Sequence, residues 1–183
     1  VIYDFSLSAV GWCLGLLYIL THGAALLWPE PVEHFLRGFH RNETVGRGVF
    51  VLAAAWAGWC LWHMELMEYT PYRGLFLLFV VVLAIAALIL LPAYIGVRGL
   101  GIHLLLGANV LLDAAFLRDE PSRLLLVVLA YAYIVAGMFL AGMPYLFRDA
   151  VDWCYASPVR ARAAWSAGLI FGLVLIGFGW LAW

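Results

Sequence analysis

The sequence predicts an all-α protein: a polytopic bundle of six transmembrane helices forming one domain over 1–183. Three observations predict it. Hydrophobic residues make up 67% of the chain and charged residues only 11%, too little polar material to coat a soluble domain of this length. The apolar residues fall into six runs, each long enough to cross a hydrocarbon core about 30 Å thick. The breaks between runs collect the capping residues, prolines and charges that end membrane helices. A mean hydropathy of +1.01 makes the bilayer the natural solvent for this chain.

The first run, about 5–27, has Asp4 as its expected N-cap and ends at Trp28-Pro29. An acid rather than a basic segment precedes it, which predicts a retained helix acting as its own insertion signal. Gly11 and Gly15 are one turn apart and give it a close-packing face. In 31–43, Val32, Phe35, Leu36 and Phe39 share one helical face and Pro31 suits a first turn. This segment predicts a short interfacial helix lying on the headgroups.

The second span, about 47–66, concentrates Trp56, Trp59 and Trp62 in its second half. Trp62, Tyr69 and Tyr72 suit an interfacial belt, whereas Trp56 and Trp59 lie deeper. Thr70-Pro71 reads as a cap and first-turn proline. The third span then runs to about 91–96, its stretch LFLLFVVVLAIAALILL without a polar side chain, and Pro92 is expected to kink its last turns. Gly96, Gly99 and Gly101 around Arg98 predict a tight hairpin into the fourth span, which ends near Leu117. Asp119-Glu120-Pro121 restarts the chain for the fifth, about 121–143. Residues 145–156 read as a short polar-aromatic connection. Ser157-Pro158 caps the sixth span, about 160–182, which contains the close-packing pair Gly168-x-x-x-Gly172.

All ten cationic residues are arginine. With the N-terminus outside, Arg37, Arg41, Arg47, Arg98, Arg148, Arg160 and Arg162 fall on the cytoplasmic side. Arg73, Arg118 and Arg123 fall outside. The asymmetry predicts an N-out, C-out topology. No basic stripe points to nucleic acid. Cys13, Cys60 and Cys154 are far apart and form no CxxC, which removes disulfide-scaffold, haem-c and zinc-ribbon readings.

Polar groups inside spans are the candidate functional residues, because hydrocarbon cannot solvate them. His22 and His103 lie at one expected depth near the cytoplasmic side. Two histidines on separate helices are a candidate haem or metal pair. His63, Glu65 and Asp113 are a candidate metal set in the outer half. Asn109 and Asp113 are four apart on one face, an expected polar seam or ion pathway that Tyr131 or Tyr133 would complete. No nucleophile elbow or P-loop is present, Ser157 has a capping role, and Asp119-Glu120 belongs to a turn.

Three functions fit this frame. The first is a structural or accessory subunit of a larger complex, packing against partner helices or a second copy and holding membrane lipid, quinone or pigment. It suits a small bundle with short loops and few dedicated chemical groups. The second is a small transporter or proton- or cation-conducting protein using Asp113. The third is a membrane redox enzyme binding haem or a metal ion. The compact, arginine-biased chain predicts a bacterial inner membrane.

Overall fold

The computed structural model describes residues 3–181, and among these no strand occurs. The chain is an integral membrane protein of the helical-bundle class. Among the described residues six helices are long and apolar enough to span a bilayer: α1 (Leu7–Leu27), α3 (Glu43–His63), α4 (Arg73–Leu90), α5 (Ile95–Ala115), α6 (Leu124–Gly142) and α8 (Pro158–Leu181). Two shorter helices, α2 (Pro29–Phe39) and α7 (Tyr145–Tyr155), lie at one end of the bundle, between α1 and α3 and between α6 and α8.

Several local signals differ from the sequence expectation. Ser6, not Asp4, caps α1, its Oγ accepting from the Ala9 N–H at 3.2 Å. Thr70-Pro71 lies within a 3-10 segment, Met67–Tyr72, so α4 starts three residues after the threonine. Pro92 does not kink a continuing helix. The helix stops at Leu90, because the residue before a proline is pushed out of the helical region. Tyr94 then takes φ 61°, the left-handed region, and reverses the chain.

Residues 145–156 are the largest departure, since α7 occupies most of this expected connection. Phe147, Val151 and Tyr155 recur at helical spacing, and Val151 is buried. The helix pairs with α2, which itself begins at Pro29, two residues earlier than expected. Phe39 and Phe147 meet at 5.6 Å between ring centroids, and Arg37 forms ion pairs with Glu33 of its own helix and Asp152 of α7. Two amphipathic helices therefore lie side by side over one end of the bundle.

Packing among the spans follows small residues rather than hydrophobicity. The helices α1 and α8 meet at Gly15 and Gly172: a Cβ on either would lie 2.8 Å from the other's carbonyl oxygen. Gly101 of α5 and Gly137 of α6 repeat the arrangement with the same 2.8 Å approach in both directions. Only glycine allows backbones so close. The Gly168-x-x-x-Gly172 face is thus used within the chain. The expected hairpin does not pack as a pair: Gly96 and Gly99 press on Gly46 and Phe50 of α3, and Gly101 on α6. The span α4 rests on α3 at the edge of the bundle, with no buried residue.

A continuous apolar core joins Leu7 and Val10 of α1, Leu111 and Ala114 of α5, Leu126 and Ala130 of α6, and Leu175 of α8. It fills the half of the bundle away from α2 and α7. Charge divides along the same axis. Seven arginines and five acids belong to the end holding α2 and α7, and three arginines and six acids to the opposite end.

Candidate functional site

In the half of the bundle that holds this core, α1 and α3 do not close on each other. A cleft of about 360 Å³ opens between them, backed by Gly107, Val110 and Leu111 of α5. Its walls are apolar apart from the edges of Trp56 and Tyr133. Gly107 and Val110 are one turn apart on α5, and the missing side chain at Gly107 brings Tyr133 of α6 into the opening.

The chain before α1 roofs the cleft. Tyr3 reaches across to α3, where its hydroxyl accepts from Trp56 Nε1 at 2.6 Å and lies 3.1 Å from Cys60 Sγ. Its ring stacks on Phe5 and Trp59 at 5.7 and 5.4 Å. The Tyr3 backbone N–H donates to Asp113 Oδ2 at 3.1 Å. The segment is a clasp joining α1, α3 and the end of α5.

At the other end of the cleft the Tyr133 hydroxyl donates to the Tyr18 hydroxyl at 3.1 Å. This leaves the Tyr18 proton free for another acceptor. Behind it, His22 stacks on Tyr18 at 5.1 Å, and Phe171 and Trp165 pack edge-on against the Tyr18 and His22 rings.

The histidines expected as a haem or metal pair sit apart in their packing. The Nδ1 of His22 bonds the Tyr18 carbonyl at 2.9 Å, and its ring is pressed against Gly168 of α8. The Nδ1 of His103 bonds the Gly99 carbonyl at 2.9 Å, and its ring lies 5.8 Å from Trp56. No hydrogen bond or ring contact joins the two. His63 bonds the Trp59 carbonyl at 2.8 Å in the same way. A carbonyl only accepts, so all three rings carry their proton on Nδ1.

The outer set His63, Glu65 and Asp113 does not converge. Among the described residues no three His, Cys, Asp or Glu side chains gather closely enough to hold a metal ion. Asp113 is instead engaged with the clasp. Asn109, one turn away on α5, makes no hydrogen bond to it, and Tyr131 is exposed on α6. Of the two tyrosines weighed for a polar network, Tyr133 faces the interior, bonded to Tyr18 rather than to Asp113.

Sequence reasoning missed Tyr3 and Tyr18. Nothing in the composition marks Tyr3, whose role depends on the chain crossing to α3. Tyr18 had a weak signal, a phenol near mid-span, where a hydroxyl needs a partner. No protein-family model, curated protein or solved structure matches this chain, so the geometry alone carries the functional argument.

Proposed function

We propose that the protein is a small membrane-embedded accessory subunit whose dedicated feature is the cleft between α1 and α3, where it holds a long apolar molecule with a hydrogen-bonding head. Quinones and other isoprenoid lipids have this chemistry. The observation that carries the reading is the apolar cleft of about 360 Å³ with Tyr133, its hydroxyl bonded to Tyr18 behind, at one end. Ligand clefts commonly combine apolar walls with a few placed polar groups. The two hydroxyls can exchange roles, Tyr18 donating to Tyr133 and Tyr133 to a carbonyl or hydroxyl oxygen on the guest.

Engagement of Asp113 with the Tyr3 N–H favours this reading over cation conduction through that carboxylate. The arginine asymmetry supports placing α2 and α7 at the cytoplasmic face of a bacterial inner membrane, with both termini outside. The edge span α4 offers the apolar surface that partner helices would cover.

Gentle extraction followed by native mass spectrometry tests the proposal. A defined apolar molecule should copurify with the wild type. Val110→Trp, which fills the cleft, should abolish its retention. Tyr133→Phe should weaken it about fivefold, the value of one ordinary hydrogen bond. Retention of unselected lipid, unchanged by Val110→Trp, would sink the reading.

A further inference from the structure

At the end holding α2 and α7, a second cavity of about 250 Å³ lies where the α2–α3 and α4–α5 connections meet. It is polar, unlike the cleft, and separate from it. His40, Arg41, Tyr94 and Arg148 line it, together with the first residues of α3 and α5. The His40 and Tyr94 rings stack at 5.3 Å and hold the connections together.

Three features make this cavity receptive to an anionic oxygen. The first is Arg41. Its Nε donates to His40 Nε2 at 3.2 Å, and no carboxylate lies within ion-pair distance of it among the described residues. Arg37, Arg47 and Arg148 by contrast each have one. The second is His40. Because Nε2 accepts, the ring proton sits on Nδ1, and Nδ1 is buried without a hydrogen-bond partner. A buried donor without an acceptor is costly, and a small turn of the ring toward the cavity would bring a phosphate oxygen to it. The third is the start of α5, which has no side-chain cap; the Ile95 N–H is taken by the Pro92 carbonyl at 3.3 Å, leaving the Gly96 amide and the positive dipole end at the cavity wall. Glu43 is the acid at the cavity wall, and its carboxylate is held by Arg47 at 3.0 Å. Burial and the neighbouring Arg41 and Arg148 push the His40 pKa down, against a weaker opposing pull from Asp152.

Below the cavity the same connection continues into apolar surface. Leu90 and Leu91 line a groove of about 530 Å³ between α3, α4 and α5 that also includes Phe50, Leu83 and Ile102. The polar cavity begins at the next residue, Pro92. A charged pocket adjoining a hydrocarbon groove matches the two parts of a phospholipid.

We infer that this end of the protein binds an anionic phospholipid, its phosphate at Arg41, His40 and Arg148 and an acyl chain in the groove between α3 and α4. The charge excess of this end favours an anionic headgroup over a zwitterionic one.

The test is native mass spectrometry of the full chain in detergent, titrated with phosphatidylglycerol or phosphatidylcholine of the same chains. Wild-type protein should retain phosphatidylglycerol in preference. Arg41→Gln and Arg148→Gln should each lower that retention about fivefold, Arg41→Lys should restore most of it, and Arg118→Gln at the opposite end should change nothing. Arg41 and Arg148 are exposed, so these variants should keep wild-type helicity by circular dichroism. Equal retention of the two lipids, or equal loss in Arg118→Gln, would overturn the site. Arg41-dependent stabilisation by inorganic phosphate alone, without preference for phosphatidylglycerol, would overturn the lipid as its occupant.

Discussion

The spans α4 and α5 are consecutive in sequence and opposite in behaviour. The α4 stretch LFLLFVVVLAIAALIL contains no polar side chain, yet none of its residues is buried. In α5, glycines and Arg98, His103, Asn109 and Asp113 interrupt the apolar pattern, yet nine of its 21 residues are buried. In water the greasier helix would sit at the centre. In a bilayer, lipid tails solvate leucine as well as another helix does, so hydrophobicity supplies no net drive toward the interior. What draws α5 inward is backbone approach: α3 meets it at Gly96 and Gly99, and α6 meets it at Gly101. Its ends are also tied, through Asp113 to the Tyr3 clasp and through Tyr94 to His40.

If close approach decides position, one substitution should have unequal consequences on the two helices. At Gly101 a Cβ would lie 2.8 Å from the backbone of α6, whereas at Gly74 of α4 nothing lies within 4 Å. Gly101→Leu should therefore destabilise the bundle by about 3 kcal/mol or more, through overpacking against backbone that cannot give way. Gly74→Leu should stay within about 0.5 kcal/mol of wild type. Denaturant titration in mixed micelles, followed by helicity, measures both. Equal losses would break the comparison.

This contrast explains how much was legible in the sequence. All six spans were, because length and apolarity are local properties. The close-packing role of Gly15, Gly168 and Gly172 was legible too, since small residues one turn apart have one main use in membrane helices. Their partners were not, because pairing depends on how each helix is rotated. That rotation also hid the cleft. Tyr133 could be named as a candidate, but not its bond to Tyr18, 115 residues away. The helix α7 escaped for a different reason: its Arg148, Asp149 and Asp152 look like loop polarity until Phe147, Val151 and Tyr155 are set at helical spacing.

The tie at the far end of α5 gives a smaller effect. Asp113 accepts from the Tyr3 N–H, whereas Asp119 is exposed in the following loop. Asp113→Leu should cost about 1–3 kcal/mol, the range for leaving a partner unbonded, and should make the chain before α1 more open to protease. Asp119→Leu should stay within about 0.5 kcal/mol. Matched melting and proteolysis of the two variants would detach Asp113 from the clasp if they gave the same result.

The tie at the near end of α5 should show the smallest effect, visible only as a pH dependence. Burial first, and then Arg41 and Arg148, push the His40 pKa below its ordinary value near 6.5, against a weaker opposing pull from Asp152. The unfolded chain therefore binds a proton at this residue more readily than the folded chain does. Stability linked to His40 is complete above about pH 6.5 and is lost as pH falls through that value toward the lowered folded-state pKa. Protonation would also place a third cation beside Arg41 and Arg148 and weaken the stack on Tyr94. Melting temperatures taken from about pH 7.5 down to about pH 5.5 should fall more steeply for wild type than for His40→Gln, which cannot take up the proton. Parallel slopes would show that protonation of His40 is not linked to folding.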